Sequence, residues 1–522
     1  MNPSRTLLNR SDILTNGSFV ILGGGLAGLT SAYYLSKGLP AGSQAKITLL
    51  ERSDRFGGWV HSPNVGRDER CVFEGGPRSV RPKGLSGLMT LDLVKDLGLL
   101  DALISIPTTH PSAKNRYIYT PHGLQKLPSS IASLISSIFR SPISALPAAV
   151  FKDLTSGPGS GTLEDESVKS FITRRFGPRI GDELISGMVH GIYASDYGTL
   201  SARSSVFGPL WELERRHGSV IKGLLAKKAP SDAVVANEEL ISRLSSSLPP
   251  EVRTASVWGL KNGLETLTKK MTEWLIGRPN VELRKDEPMC LPCVRRSKSQ
   301  ITTPAHQHTA DFVISAIPPR ALHDSLHHDF KNQIASLGHN PAVTVAVVNV
   351  AYRSKRRIIP VPPAFGYLIP ASIGPDINPH RVLGVVFDSD MMPGVESTTS
   401  RGHTEDLTKL TVMLGGHFYS DLPIPSLDVL KHQALEALEQ QLEINEKPLY
   451  INATLQRDCI PQYLVGHHRR MSGLHHALQG RGLALVGSGY GGVGVNDVVK
   501  GCRETVELIL KAGSATGLES FN

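Results

Sequence analysis

The chain has 522 residues, 40% hydrophobic and 20% charged, with 50 Gly and 35 Pro, which excludes a largely disordered chain and a coiled coil. At about 150 residues per domain, that length leaves room for three or four domains. The 56 Lys and Arg against 47 Asp and Glu leave a net charge of +9, which permits anionic ligands or an anionic surface. No basic tract with interleaved aromatics points to nucleic acid.

The first eighteen residues carry Arg5, Arg10 and Asp12 without a long apolar core, so they read as a short leader and not as a secretory signal. A buried strand is predicted over Ser18–Leu22, running into Gly23-Gly24-Gly25-Leu26-Ala27-Gly28. Leu26, Leu29 and Tyr33 then recur at helical spacing, and a second strand over Ala45–Leu50 ends at Glu51. Strand, G-x-G-x-x-G, helix and a distal acid are the context that a dinucleotide fingerprint requires. Gly23 makes the turn, Gly25 lets a pyrophosphate approach the backbone, and Gly28 lets helix and sheet pack closely. The unpaired amides of the helix start bind phosphate, and Glu51 accepts from a ribose hydroxyl.

Arg55-Phe56-Gly57-Gly58-Trp59 and Phe73-Glu74-Gly75-Gly76-Pro77-Arg78 supply further glycine pairs. A nicotinamide dinucleotide needs no such segments. An extended flavin does, because backbone must pass close to its diphosphate and ring, so FAD is favoured over NAD.

Leu127–Phe151 is apolar but broken by Pro128, Arg140, Pro142 and Pro147, which argues against a spanning helix and leaves an interfacial one open. Thr162–Asp165 reads as a helix start and 167–198 as mainly helical. Thr155–Thr162 and Lys227–Asp232 read as turns or insertions. The lone Cys290-x-x-Cys293 supplies two of zinc's four ligands, and the five cysteines, odd and sparse, read as structural thiols. Val343–Asn349 and Leu383–Phe387 read as strands, and the pairs His327-His328 and His467-His468 as solvated loops. Leu483–Gly487 is a third apolar strand before a loop, Gly487–Val495. Asn496 reads as the cap of a helix over Asp497–Leu510, whose N-terminus would face the flavin.

From Phe19 to Leu510 the chain resembles the eukaryotic, oxygen-dependent protoporphyrinogen oxidases within the FAD-linked, amine-oxidase-like enzymes. The resemblance rests on GGGLAGL at Gly23–Leu29, FGGWVHS at Phe56–Ser62, GPRSVRP at Gly76–Pro82 and HPSAKNRYIY at His110–Tyr119. Further matches are VISAIP at Val313–Pro318, FGYLIP at Phe365–Pro370, CIPQY at Cys459–Tyr463 and GVGVND at Gly492–Asp497. It implies a mixed α/β fold with a Rossmann-like FAD-binding domain, a substrate-binding β-sheet domain and a helical membrane-associated domain. The expected division is 15–110 plus 217–320 plus 450–515 for FAD, 111–216 for the helical part and 321–449 for substrate.

The implied reaction oxidises protoporphyrinogen IX to protoporphyrin IX with molecular oxygen, releasing hydrogen peroxide, by hydride transfer to FAD. The implied location is the surface of the mitochondrial inner membrane, peripheral or monotopic, with a homodimer and hand-over to the ferrochelatase step as further expectations. Non-covalent FAD would be held by Gly23, Gly24, Gly25, Leu26, Ala27, Gly28, Glu51, Arg52, Trp59, Gly76, Pro77, Arg78, Ser79, Met289, Ser488, Val493, Gly494 and Val495. The tetrapyrrole would meet Arg116, Gly191, Phe365, Leu368 and Met413, with Arg116 on a propionate. The family more often has Arg where His190 stands, and no catalytic acid or base is named. The competing readings are a coproporphyrinogen oxidase, an amine oxidase on the same scaffold, and a non-catalytic flavin-binding assembly protein. The late glycine loop lacks the cysteine that many covalent-flavin amine oxidases carry there.

Overall fold

The computed structural model describes residues 10–66, 71–128, 143–157, 164–226, 232–289, 292–293, 299–396 and 406–522. Most of the interruption between Leu127 and Phe151, the start of the expected helix at Thr162, the turn at 227–231 and Cys290 lie outside them.

Two sheets organise the described chain. The first has five parallel strands in the order Leu483–Leu485, Phe312–Ser315, Ser18–Leu22, Lys46–Leu50, Val281–Arg284. Its central strand, Ser-Phe-Val-Ile-Leu, is apolar on both faces: Phe19 and Ile21 lie in one apolar cluster with the helix Leu26–Gly38, and Val20 and Leu22 in another with Ile301 and Ala310 of a small antiparallel sheet and with Leu322 and Met471. The helix Leu26–Gly38 packs between Val495–Ala512 and Glu265–Ile276. Val499, Cys502, Val506 and Ile509 form the buried stripe of the last helix at steps of three and four. Strands from both ends and the middle of the chain thus meet in one sheet.

The second sheet has seven strands in the order Tyr450–Pro461, Ala342–Arg353, Leu407–Gly416, Val382–Val386, Gly366–Leu368, Tyr117–Thr120, Gly123–Lys126. Ala342–Arg353 is antiparallel to both neighbours, with Asn349 opposite Thr411 and Val347 opposite Met413. One face, carrying Leu410, Val412 and Leu414, is closed by the helix Leu427–Leu442. Val345, Val347 and Met413 lie in a separate cluster with Ala194 and Leu383, on the side away from that helix.

The sheets depart from the expected division in two places. Tyr450–Pro461, expected with the FAD segments, pairs with Ala342–Arg353. The hairpin Tyr117–Lys126, expected with the helical part, extends the same sheet. In both cases hydrogen bonding to distant strands decides membership, and chain order does not.

The helical region holds Leu146–Thr155, Val168–Phe176, Ser186–Tyr193, Gly208–His217 and Val220–Leu225. Ser167 caps the second of these by accepting from the Ser170 amide. Its interior carries buried charge: Arg175 pairs with Asp153 and Glu214, and Arg174 with Glu166 and Glu214. Asp153 also accepts from Ser219 Oγ and from the Ile221 amide, tying the first and last of these helices together. Among the described residues no helix is long and apolar enough to cross a membrane. Cys71, Cys459 and Cys502 are free thiols.

Candidate active site

The glycine fingerprint folds onto three other segments. Gly23 donates to the Leu50 carbonyl at 2.8 Å, and Leu29 is bonded back to Gly25 at 3.0 Å. The amides of Leu26, Ala27 and Gly28 are therefore left facing the loop without helical acceptors. A Cβ on Gly28 would lie 1.8 Å from the Gly23 carbonyl oxygen, so only glycine fits. A Cβ on Gly25 would meet nothing nearer than Gly58 Cα at 3.7 Å, which is the open approach a diphosphate needs.

Glu51 ends its strand with a buried carboxylate. Oε2 accepts from the Gly24 amide at 2.7 Å, and Oε1 accepts from the Ser53 amide at 2.9 Å and its hydroxyl at 2.6 Å. With about four acceptor positions on a carboxylate, one remains for a ribose hydroxyl. Arg52 beside it is exposed. Met289 and Ile317 pack against the apolar cluster that holds Leu22 and Leu50, and Ile317 borders Gly23.

The second glycine pair closes over the first. Gly57 donates to the Gly24 carbonyl at 2.9 Å. Gly76 in turn passes so near Trp59 that a Cβ would lie 2.2 Å from its carbonyl oxygen. Arg78 reaches across to Asp388 at 2.8 Å, and Asp388 accepts from Thr411 at 2.6 Å. The Gly76–Ser79 segment is thus tied to the seven-stranded sheet. Glu74, beside it, accepts from Ser62 Oγ and the Leu264 amide, and burial pushes its carboxyl up to about 7.

The late loop completes the cradle. Gly487 has φ +107°, and a Cβ there would sit 3.3 Å from Ala27 Cβ, at the fingerprint helix. The last helix starts at Val495 with Gly494 as its cap, two residues before the expected start. Asn496 does not cap it; its Nδ2 donates to the Arg81 carbonyl at 2.8 Å. That bond joins the late helix to the Gly76–Pro82 segment.

The five expected substrate residues form a neighbouring cluster. The Arg116 guanidinium lies 5.8 Å from the Phe365 ring centroid and pairs with no acid among the described residues. Leu368 is opposite Gly384 in the sheet, Met413 is opposite Gly384 on the next strand, and Gly191 packs on Leu368 from the helix Ser186–Tyr193. Phe365 and Met413 share one apolar cluster with Met391 and Met392. Phe365, Leu368 and Met413 are only half-buried, so they present an accessible apolar face with one cation at its edge.

Several residues have surroundings that the sequence does not reveal. His190 is buried, its Nδ1 is 2.7 Å from the Ile369 carbonyl, and it stacks on His417; burial lowers its pKa to about 4. The imidazole is therefore neutral at neutral pH. His467 and His468 do not lie in a solvated loop: they open the helix His467–Leu478, and His467 is 1% exposed. Asn349 is buried between the Glu74 carbonyl and Thr411, and its place in a run of valines and alanines was the available signal.

The family model for flavin containing amine oxidoreductases matches residues 26–510. The protoporphyrinogen oxidase of Schizosaccharomyces pombe is 34% identical over 94% of this chain and 98% of that protein. The coproporphyrinogen III oxidase of Bacillus subtilis is more distant, at 25% identity over 92% and 95%. A crystal structure from Exiguobacterium sp. 255-15, provisionally named a protoporphyrinogen oxidase, matches with a TM-score of 0.72 at 20% identity, covering 95% of this chain and 99% of that one. The chain belongs to the flavin containing amine oxidoreductase family, as one of its FAD-dependent protoporphyrinogen oxidases.

Proposed function

We propose that the oxidation of protoporphyrinogen IX takes place where the glycine cradle and the apolar sheet face meet, at Gly76–Ser79 and Asp388. The observation that carries this is the Arg78–Asp388–Thr411 chain, which fixes one segment of the cradle to the strand that also presents Met413. FAD, when bound, supplies the hydride acceptor and the route of electrons to oxygen. The protein's part is binding, orientation and exclusion of water. Leu26, Ala27 and Gly28 offer amides to the diphosphate, and Glu51 holds a ribose. Phe365, Leu368 and Met413 form the wall for the macrocycle, and Arg116 grips a propionate.

Surface attachment to an anionic membrane accounts for the apolar side chains on two neighbouring helices. Phe151 is 69% exposed, Leu224 61% and Leu225 79%, with Lys152 and Lys222 beside them. The mitochondrial inner membrane, a homodimer and hand-over of product to the ferrochelatase step belong to the same reading. So does the three-part division of the chain, with Tyr117–Lys126 and Tyr450–Pro461 moved to the substrate sheet.

The test is turnover of purified protein on protoporphyrinogen and coproporphyrinogen side by side, following porphyrin fluorescence and peroxide. Faster turnover of protoporphyrinogen supports the reading. Preference for coproporphyrinogen, or FAD bound without turnover of either, rejects it. Flavin retained after acid precipitation would reject non-covalent binding.

A further inference from the structure

The late glycine loop is held from outside by two side chains of one short segment. The Tyr463 hydroxyl donates to the Ser488 carbonyl and accepts from the Gly492 amide, the latter at 2.8 Å. Its ring stacks on the His467 imidazole, with centroids 4.3 Å apart and planes 21° from parallel. His467 Nε2 lies 2.8 Å from the Tyr490 carbonyl, so it carries the proton and donates. The contacts fall on residues 488, 490 and 492, every second position of the loop.

The loop itself cannot choose this shape. Gly487, Gly489, Gly491, Gly492 and Gly494 make up five of its eight residues, and glycine backbone loses more conformational freedom on ordering than any other. The rigidity has to come from its neighbours, and Tyr463 is well placed to provide it. Its ring is buried in the core of the helical region with Phe171, Tyr193 and Trp211. Its carbonyl accepts from the Ser201 amide at 2.8 Å, and Gln462 Nε2 donates to the Tyr193 carbonyl at 3.0 Å. The same residue is thus anchored in the helical region at one end and bonded to the loop at the other.

We propose that Tyr463 and His467 are positioning residues that impose the FAD-binding conformation of the Gly487–Gly494 loop, and that through Tyr463 the packing of the helical region sets flavin affinity. The proposal rests on the reading that Ser488 and Val493–Val495 contact FAD. A hydroxyl that both donates and accepts fixes two loop peptides at once, and Phe at this position keeps the ring in its packing while releasing both.

The experiment compares holoenzyme, Tyr463→Phe, His467→Gln and the loop variant Gly494→Val. FAD dissociation constants are measured by flavin fluorescence, along with the visible spectrum and the midpoint potential of the bound flavin. Loss of two hydrogen bonds predicts an FAD dissociation constant about 10-fold higher in Tyr463→Phe. A shifted flavin potential and a smaller change in His467→Gln are expected with it. Wild-type affinity and potential in Tyr463→Phe, with FAD weakened in Gly494→Val, overturn the clip and leave the loop reading standing. No change in either overturns the loop reading and the clip together. A Tyr463→Phe protein that melts lower as apoprotein but binds FAD at wild-type strength assigns the residue to the core alone and also overturns the proposal.

Discussion

Gly191 and Leu368 meet so closely that a Cβ on Gly191 would lie 2.6 Å from Leu368 Cδ2. The far end of a leucine can move, and the side it can move to is the apolar face it shares with Met413 across Gly384. Gly191→Ala is therefore expected to push Leu368 into the macrocycle's space. The Michaelis constant for protoporphyrinogen should rise several-fold, while FAD affinity stays unchanged. Leu368→Ala added to Gly191→Ala should restore most of the loss, because the two positions compete for one volume. Steady-state kinetics on the four proteins of this cycle check it, and additive effects would separate the two residues.

Gly28 faces a harder limit. The atom a side chain would strike is the Gly23 carbonyl oxygen, 1.8 Å away, and this is backbone that cannot turn aside. Gly28→Ala should open the strand–helix junction and abolish stable FAD binding. The expected product is a colourless protein whose thermal midpoint no longer rises on adding FAD. A yellow protein with a normal flavin spectrum would show that the junction tolerates the extra carbon.

How far the sequence could be read follows the range of the contacts. Gly23–Gly28 with Glu51, and the loop after Leu485, are patterns within a few dozen residues, and each folds as a strand, a glycine turn and a helix as its sequence implies. The strand order was beyond reach, because Phe312–Ser315 lies between Ser18–Leu22 and Leu483–Leu485 through pairing across hundreds of residues. The resemblance implies that Tyr450–Pro461 goes with the late FAD segment, yet it pairs with Ala342–Arg353 in the other sheet, a partner far earlier in the chain. The adjacent pair His467-His468 reads as a solvated loop, yet His467 is buried at the start of a helix. Its burial depends on an acceptor 23 residues away. The last helix starts at Val495 and not after Asn496, a good cap by type, because the Asn496 side chain reaches the Arg81 carbonyl instead.

Arg116 stands over the Phe365 ring at the edge of the apolar face, and no ion pair with an acid holds it among the described residues. Removing it should cost ground-state binding of a propionate and leave the reacting carbon where it is. Arg116→Ala is expected to raise the Michaelis constant about 10-fold, the value of one charge-assisted pair at a partly hydrated site, with little change in turnover number. Arg116→Lys should recover part of this and not all, since an ammonium cannot make the paired bonds of a guanidinium. Equal kinetics for all three proteins would place the propionate elsewhere.

Acid should destabilise the fold through its buried neutral histidines. Burial lowers both His190 and His467 from about 6.5 to about 4. Around His190 stand His417 and Asp196, and around His467 stand Arg470 and His468; in neither case does a nearby charge outweigh desolvation. Between these values the unfolded chain binds the proton and the folded chain does not. The stability contributed is therefore complete above pH 6.5 and is lost as the pH falls towards 4. At about 1.4 kcal/mol per unit, each histidine accounts for a loss on the order of 3 kcal/mol across that window. Thermal midpoints measured from pH 7.5 to 4.5 should fall steadily below pH 6.5. His190→Asn, which does not titrate but can still donate to the Ile369 carbonyl, should begin from a lower midpoint and fall less steeply. Parallel curves for the two proteins would show that His190 takes up its proton equally in the folded and unfolded chains and contributes nothing to the loss.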